Sequence, residues 1–151
     1  MTPLPHSIRP TVALALEKWH RMVAARDMSD LPSIVHPQAV FRSPVANTPY
    51  GPAPALVIAI DTVVQVFEDF VYHRQFATED GLNVVLEFSA RGAGKDLKGV
   101  DLIRFDEQGL IVEFEVAIRP ASGLQALGEQ MGARLGQRLH DFKLQAQNPK
   151  G

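Results

Sequence analysis

The chain has 151 residues, 46% of them apolar and 21% charged, with a formal net charge of −2 and no cysteine. That size and composition fit one soluble globular domain with a substantial core. They exclude disulfides, thiol chemistry and cysteine-bound metals, and the scattered charge lacks the basic footprint of a nucleic-acid binder. The first ten residues, MTPLPHSIRP, contain no apolar run of the signal-peptide kind. The longest apolar run, Ala53 to Ile60, is too short for a membrane span. A cytoplasmic protein without membrane or nucleic-acid partners is the expectation.

In chain order, a first helix is predicted from Thr11 to about Asp27. Val12, Ala15, Leu16, Trp19, Met22 and Val23 follow the helical period, with Glu17, Lys18 and Arg21 outside that stripe. A short second helix is predicted over Ser29 to Val35, with Pro32 in its first turn, and a short strand over Ala39 to Ser43. A proline-rich loop, Ser43 to Pro54, leads to a third helix, Pro54 to Glu68, which is apolar over most of its circumference. Four strands are expected next, at Phe70–Ala77, Leu82–Arg91, Asp96–Asp106 and Leu110–Arg119. Asp80-Gly81, Gly92-Ala93-Gly94 and Gln108-Gly109 mark the reversals. Short connections between consecutive strands imply an antiparallel sheet and an α+β fold. After Pro120 a further helix carries Gly128, Gly132 and Gly136 at every fourth position. Those glycines either flatten one face for close approach or belong to a tolerated tail.

The stretch from Val100 to Arg119, VDLIRFDEQGLIVEFEVAIR, carries the most chemistry. Alternation puts Asp101 on one face with Ile103 and Phe105. A carboxylate on an apolar face must be hydrogen-bonded, paired or protonated, because burying it charged and alone is costly.

Helix, short helix, short strand, helix and four antiparallel strands resemble the cone-shaped nuclear-transport-factor-2-like fold. Within it the chain resembles the small SnoaL-like and ketosteroid isomerase-like bacterial members. The closest match in letters is Asp101 to Gly109, DLIRFDEQG, which looks like the isomerase strand and turn. The resemblance implies a curved antiparallel sheet wrapped round N-terminal helices. It covers about residues 11–119 of a single domain spanning 1–151, with the helix at about 120–145 as an extension.

The resemblance also implies roles. Asp101 matches the family's oxyanion-hole aspartate, a carboxyl kept neutral by an apolar site; ketosteroid isomerase is the standing worked example of that behaviour. Trp19 stands where the family has a tyrosine, and Ser43, before Pro44, where it has its proton-shuttling aspartate. Standard steroid isomerisation is therefore not expected, since an unassisted serine is no general base near neutral pH. The polyketide-cyclase His and Asp of the last strand are also missing from Glu113-Phe114-Glu115-Val116.

Asp101 leads the candidates as proton donor or polariser, with Trp19, Ser43 and His73 behind it. His73 qualifies because histidine titrates near neutral pH. Strict alternation groups His73 with Val71, Gln75 and Ala77, and Tyr72 with Phe70, Arg74 and Phe76, leaving open which face meets a pocket. Candidate pocket walls are Trp19, Phe41, Phe67 and Tyr72, together with Phe88, Phe114 and Met131. Arg42 would orient an anionic substrate or neutralise Asp101.

The expected function is binding of a small apolar molecule, cyclic or carbonyl-bearing, in the mouth of the cone. Isomerase, dehydratase or cyclase chemistry at Asp101 would need no cofactor and no metal. The alternative is a non-catalytic ligand-binding or dimerising module. A homodimer is expected in both cases, because the third and last helices offer more apolar surface than one small sheet covers.

Overall fold

A computed structural model describes residues 4–140. Pro10 occupies the first helical position, where its missing N–H breaks no bond, and opens α1 (Pro10–Ala25). The helix buries Val12, Ala15, Leu16, Trp19 and Met22. It stops where Arg26 turns left-handed, at φ 52°, and its N–H bonds back to the carbonyls of Met22 and Val23. Leu16 is fully buried, so truncating it to alanine would cost about 2–5 kcal/mol.

A single 3-10 turn, Leu31–Ile34, replaces the expected second helix. Strand β1 (Val35–Arg42) follows at once, four residues earlier than the apolar pattern suggested. Pro37 and Gln38 are exposed where its register shifts between Val35 and Val40. An edge strand can hold such a proline, since no ladder bond is lost there. Helix α2 (Ala53–Val66) connects to β2 (Glu68–Ala77), β3 (Asn83–Gly92), β4 (Lys95–Phe105) and β5 (Ile111–Arg119).

The sheet order is β1-β5-β4-β3-β2. Consecutive strands β2 to β5 pair antiparallel, as their tight turns require. β1 joins the free edge of β5 in parallel, so the sheet is mixed at that edge. Helix α2 carries the chain from the β1 edge to the β2 edge, and no hairpin constrains the direction of β1. The result is the curved, open five-stranded α+β cone.

Two glycines fit the hairpins to their neighbours. At Gly109 (φ 82°) a Cβ would stand 2.4 Å from the Thr11 carbonyl, so glycine lets the β4–β5 turn rest on the start of α1. At Gly99 a Cβ would meet the Phe88 ring at 2.7 Å, so the missing side chain is what lets Phe88 lie on β4. Helix α3 (Ala121–His140) bends at Gly136 and packs against α2. Residues 141–145 of the expected extension lie outside the described residues. No helix among those described is long and apolar enough to cross a membrane.

Candidate active site

Asp101 sits in the middle of β4, paired with Leu86 on one side and Val116 on the other, and is 5% exposed. Burial pushes its carboxyl up to about 7, against the opposing pull of a hydrogen bond from Tyr72. That bond runs from the Tyr72 hydroxyl to Oδ2 across 2.6 Å. The Tyr72 oxygen in turn accepts the Trp19 indole N–H at 2.9 Å. Burial, then the neighbouring Asp101 charge, holds the Tyr72 phenol well above its usual range, so it remains a neutral donor.

The three polar groups therefore form a directed chain, Trp19 to Tyr72 to Asp101. Among the described residues Tyr72 is the only hydrogen-bond partner of Asp101, and it occupies Oδ2. Oδ1 is not among the sealed, unsatisfied atoms, so it is left for whatever enters the cavity. A protonated Asp101 can place its O–H there. Bonds in such a chain polarise one another in a low dielectric, which strengthens the last donor.

Trp19, Tyr72 and Asp101 stand on the wall of a cavity of about 460 Å³, a volume within the range of small-molecule sites. Most of the remaining wall is apolar. Phe41, Phe67 and Phe114 line it from β1, the end of α2 and β5, and Met131 closes it from α3. Phe114 lies 5.2 Å from Trp19, ring to ring. Gly128, Gly132 and Gly136 all line the cavity too. A Cβ on Gly132 or Gly136 would meet nothing within 4 Å, so part of the glycine stripe enlarges the cavity.

The structure brings Asp101, Trp19, Ser43, Phe41, Phe67, Tyr72, Phe114 and Met131 to this one cavity. It sets three candidates elsewhere. His73 faces outward and touches Ser89 Oγ at 2.7 Å on the far side of the sheet. Arg42 bonds Glu113 at 3.1 Å and does not reach Asp101. Phe88 lies behind the wall, fully buried and stacked on Phe70 at 5.0 Å. Ser43 uses its hydroxyl to accept the Val45 N–H at 3.0 Å, which pins the loop.

Register explains why β2 turns this way. It slips against β3 between Tyr72 and Gln75, so His73 and Arg74 both fall outside and Gln75 rejoins the inner face. Gln75 then meets His20 (3.4 Å), whose ring stands edge-on to Tyr72 at 5.1 Å. Burial lowers the His20 imidazole below its usual value, against the Gln75 bond. The sequence pattern missed the polar role of Tyr72 and the cavity positions of Tyr50, Arg26 and Asp69. Tyr72 and Asp101 could have been joined only by knowing that β2, β3 and β4 are neighbours. Among the described residues, no group of three His, Asp or Glu side chains is placed to hold a metal ion.

A curved open sheet wrapped round helices is the fold of the nuclear-transport-factor-2-like class. Within that class the chain belongs to the SnoaL-like domain family, which matches residues 16–114. A steroid delta-isomerase from Pseudomonas aeruginosa is 55% identical, covering 91% of this chain and 99% of its own, with a TM-score of 0.85. An uncharacterized protein conserved in bacteria, with a cystatin-like fold, from Silicibacter pomeroyi is 29% identical over 91% of this chain and 94% of its own, with a TM-score of 0.78. A putative isomerase from Bacillus subtilis shares the fold at 19% identity, over 78% and 93% of the two chains, with a TM-score of 0.61. No curated protein matches this chain.

Proposed function

We propose that the cavity binds a rigid, ring-bearing carbonyl compound of the steroid class and that Asp101, protonated, donates to its carbonyl oxygen. Against the expectation drawn from Ser43, the reaction class is a cofactor-free isomerisation. Charge develops on that oxygen as a proton leaves the ring, and water, in place of the family's aspartate, carries that proton to the second ring carbon. The directed chain from Trp19 through Tyr72 to Asp101 carries this reading. It delivers one strengthened donor to an apolar cavity, which is what an oxyanion needs. The likeness to a steroid delta-isomerase at 55% identity supports the substrate class. The test follows conversion of a 3-oxo-Δ5 steroid to its conjugated enone by absorbance. Asp101→Asn should slow turnover on the order of 10²-fold, and equal rates in parent and variant would remove Asp101 from the mechanism.

Ser43 favours a second reading, a binder without turnover. It stands where the family's proton-shuttling aspartate belongs, its hydroxyl accepts the Val45 N–H, and a serine hydroxyl without a base beside it takes no proton from carbon. Saturable binding of the same steroid with no product would select that reading.

A homodimer belongs to the proposal in either form. The surfaces of α2 and α3 expected to pair are used within the chain: α2 packs on β1 and α3, and α3 packs on α2 and on β3, β4 and β5. The outer face of the sheet instead leaves Val71, Phe76 and Leu102 exposed by 49%, 50% and 38%. A second copy covering that face would bury them. A monomer in light scattering at micromolar concentration would overturn this.

A further inference from the structure

The cavity wall carries a second acidic position, far from Asp101. Asp69 lines the cavity from the start of β2, where the register slips between Glu68 and Val71 and where Asp69 itself takes φ 51°. Phe70 and Tyr72 face the cavity, so simple alternation from Tyr72 would send Asp69 to the outer side. At the bulge, with its left-handed residue, Asp69 instead stands on the cavity wall; bulges of this kind re-aim side chains beside sites.

Asp69 is an exposed residue of the cavity wall, and among the described residues it has no ion-pair or hydrogen-bond partner. Arg26, another charged wall residue, is occupied: its Nη2 donates to the Gln65 carbonyl at 2.7 Å. Asp69 is thus an acceptor open to a ligand.

Strand register measures its separation from Asp101. Asp101 pairs with Leu86 and Leu86 with Gln75, whereas Asp69 stands level with the Ala90–Leu97 pair. Four residues along β4 and two strand spacings put the two Cα atoms roughly 16 Å apart on a flat sheet. Asp69 is therefore too distant to exchange a proton beside a carbonyl held at Asp101. The span suits the far end of a molecule of several fused rings.

We infer that Asp69 reads that far end, accepting a hydrogen bond from a hydroxyl there, so the preferred ligand carries a carbonyl at one end and a hydroxyl at the other. This rests on the proposal that Asp101 holds the carbonyl. An ionised carboxylate only accepts. A hydroxyl satisfies it, whereas a keto oxygen offers no proton and leaves it partly desolvated and unpaired.

Two steroids test the assignment, both 3-oxo-4-ene compounds and alike except at carbon 17, one with a hydroxyl and one with a keto group. Binding is read from the fluorescence of Trp19, the only tryptophan in the chain and part of the wall. The parent chain should bind the hydroxyl steroid about tenfold more tightly. Asp69→Gly suits the positive φ and removes the carboxylate. It should abolish the preference by weakening the hydroxyl ligand alone. A parent without preference, a preference that survives in Asp69→Gly, or equal weakening of both ligands would overturn the inference. Tight binding of both steroids without preference leaves the Asp101 reading standing, and binding of neither removes both.

Discussion

The Trp19 indole N–H lies 2.9 Å from the Tyr72 oxygen, and this contact decides where the Tyr72 proton points. With that oxygen already accepting, the hydroxyl turns its hydrogen to Asp101 Oδ2 at 2.6 Å. Tyr72 is thus not the donor that meets a ligand; it sets the state of the carboxyl that does. Replacing it tests the whole chain. Tyr72→Phe removes the bond that pulls the Asp101 carboxyl down, so Asp101 should stay protonated to higher pH. It also leaves the Trp19 N–H without a partner, which costs about 1–3 kcal/mol. Denaturant unfolding should report that loss, and the alkaline limb of the pH–binding profile should move up. A limb that stays in place would break the proposed link between Tyr72 and Asp101.

The pH dependence follows from the raised carboxyl. Asp101 titrates at about 7 in the folded chain against 3.8 for the free side chain. Below 3.8 it is neutral in both states and burial carries no penalty. Between 3.8 and 7 the unfolded chain releases this proton while the folded chain keeps it, so stability falls, by on the order of 4 kcal/mol once pH has passed 7. Asp101→Asn should remove this fall, so its stability relative to the parent rises between pH 4 and 8. Ligand binding to the parent should weaken above pH 7, where the donor is lost. Parallel stability profiles for parent and variant would refute the assignment.

Asp101 was legible because period-two alternation and an apolar face single out any carboxylate between Val100 and Phe105. The four-strand meander was legible because its turns carry glycine at the reversals. The inner face of β2 was not. Alternation assumes an unbroken ladder, and the slip between Tyr72 and Gln75 transfers Gln75 to the inside and Arg74 to the outside. The same limit hid Asp69, which stands on the cavity wall at a second slip. The parallel pairing of β1 with β5 and the Trp19–Tyr72 bond join residues more than fifty positions apart, so neither leaves a local pattern.

Glu87 supplies a control, because it is as buried as Asp101 at 6% exposure but faces the other side of the sheet. Hydrogen bonds from Arg74, at 2.7 and 2.6 Å, hold its carboxyl down to about 2 despite burial, and Lys98 at 3.3 Å adds to them. Two carboxyls with little exposed surface thus separate by surroundings, Asp101 raised by desolvation in an apolar wall and Glu87 lowered by Arg74 and Lys98. Arg74→Met should raise the Glu87 value toward the normal range while leaving steroid binding and its pH profile unchanged. Carboxyl titration by NMR and the Trp19 fluorescence assay measure the two effects. A change in binding would show that the outer face couples to the cavity.

Gly132 separates the stability of α3 from the space it leaves. A Cβ there meets nothing within 4 Å, whereas one on Gly128 would press Val45 Cγ1 at 3.0 Å. Gly132→Ala should therefore stabilise the helix by up to about 1 kcal/mol and leave binding nearly intact. Gly132→Leu keeps the helical gain but sends a branched side chain from the cavity wall into the ligand volume. It should unfold no more easily than the parent and bind the steroid at least about tenfold more weakly, a loss of roughly 1.4 kcal/mol. Thermal melting without ligand and fluorescence titration with it measure the two halves. Undiminished binding in Gly132→Leu would mean that the ligand does not reach α3 and lies wholly between Trp19 and the sheet.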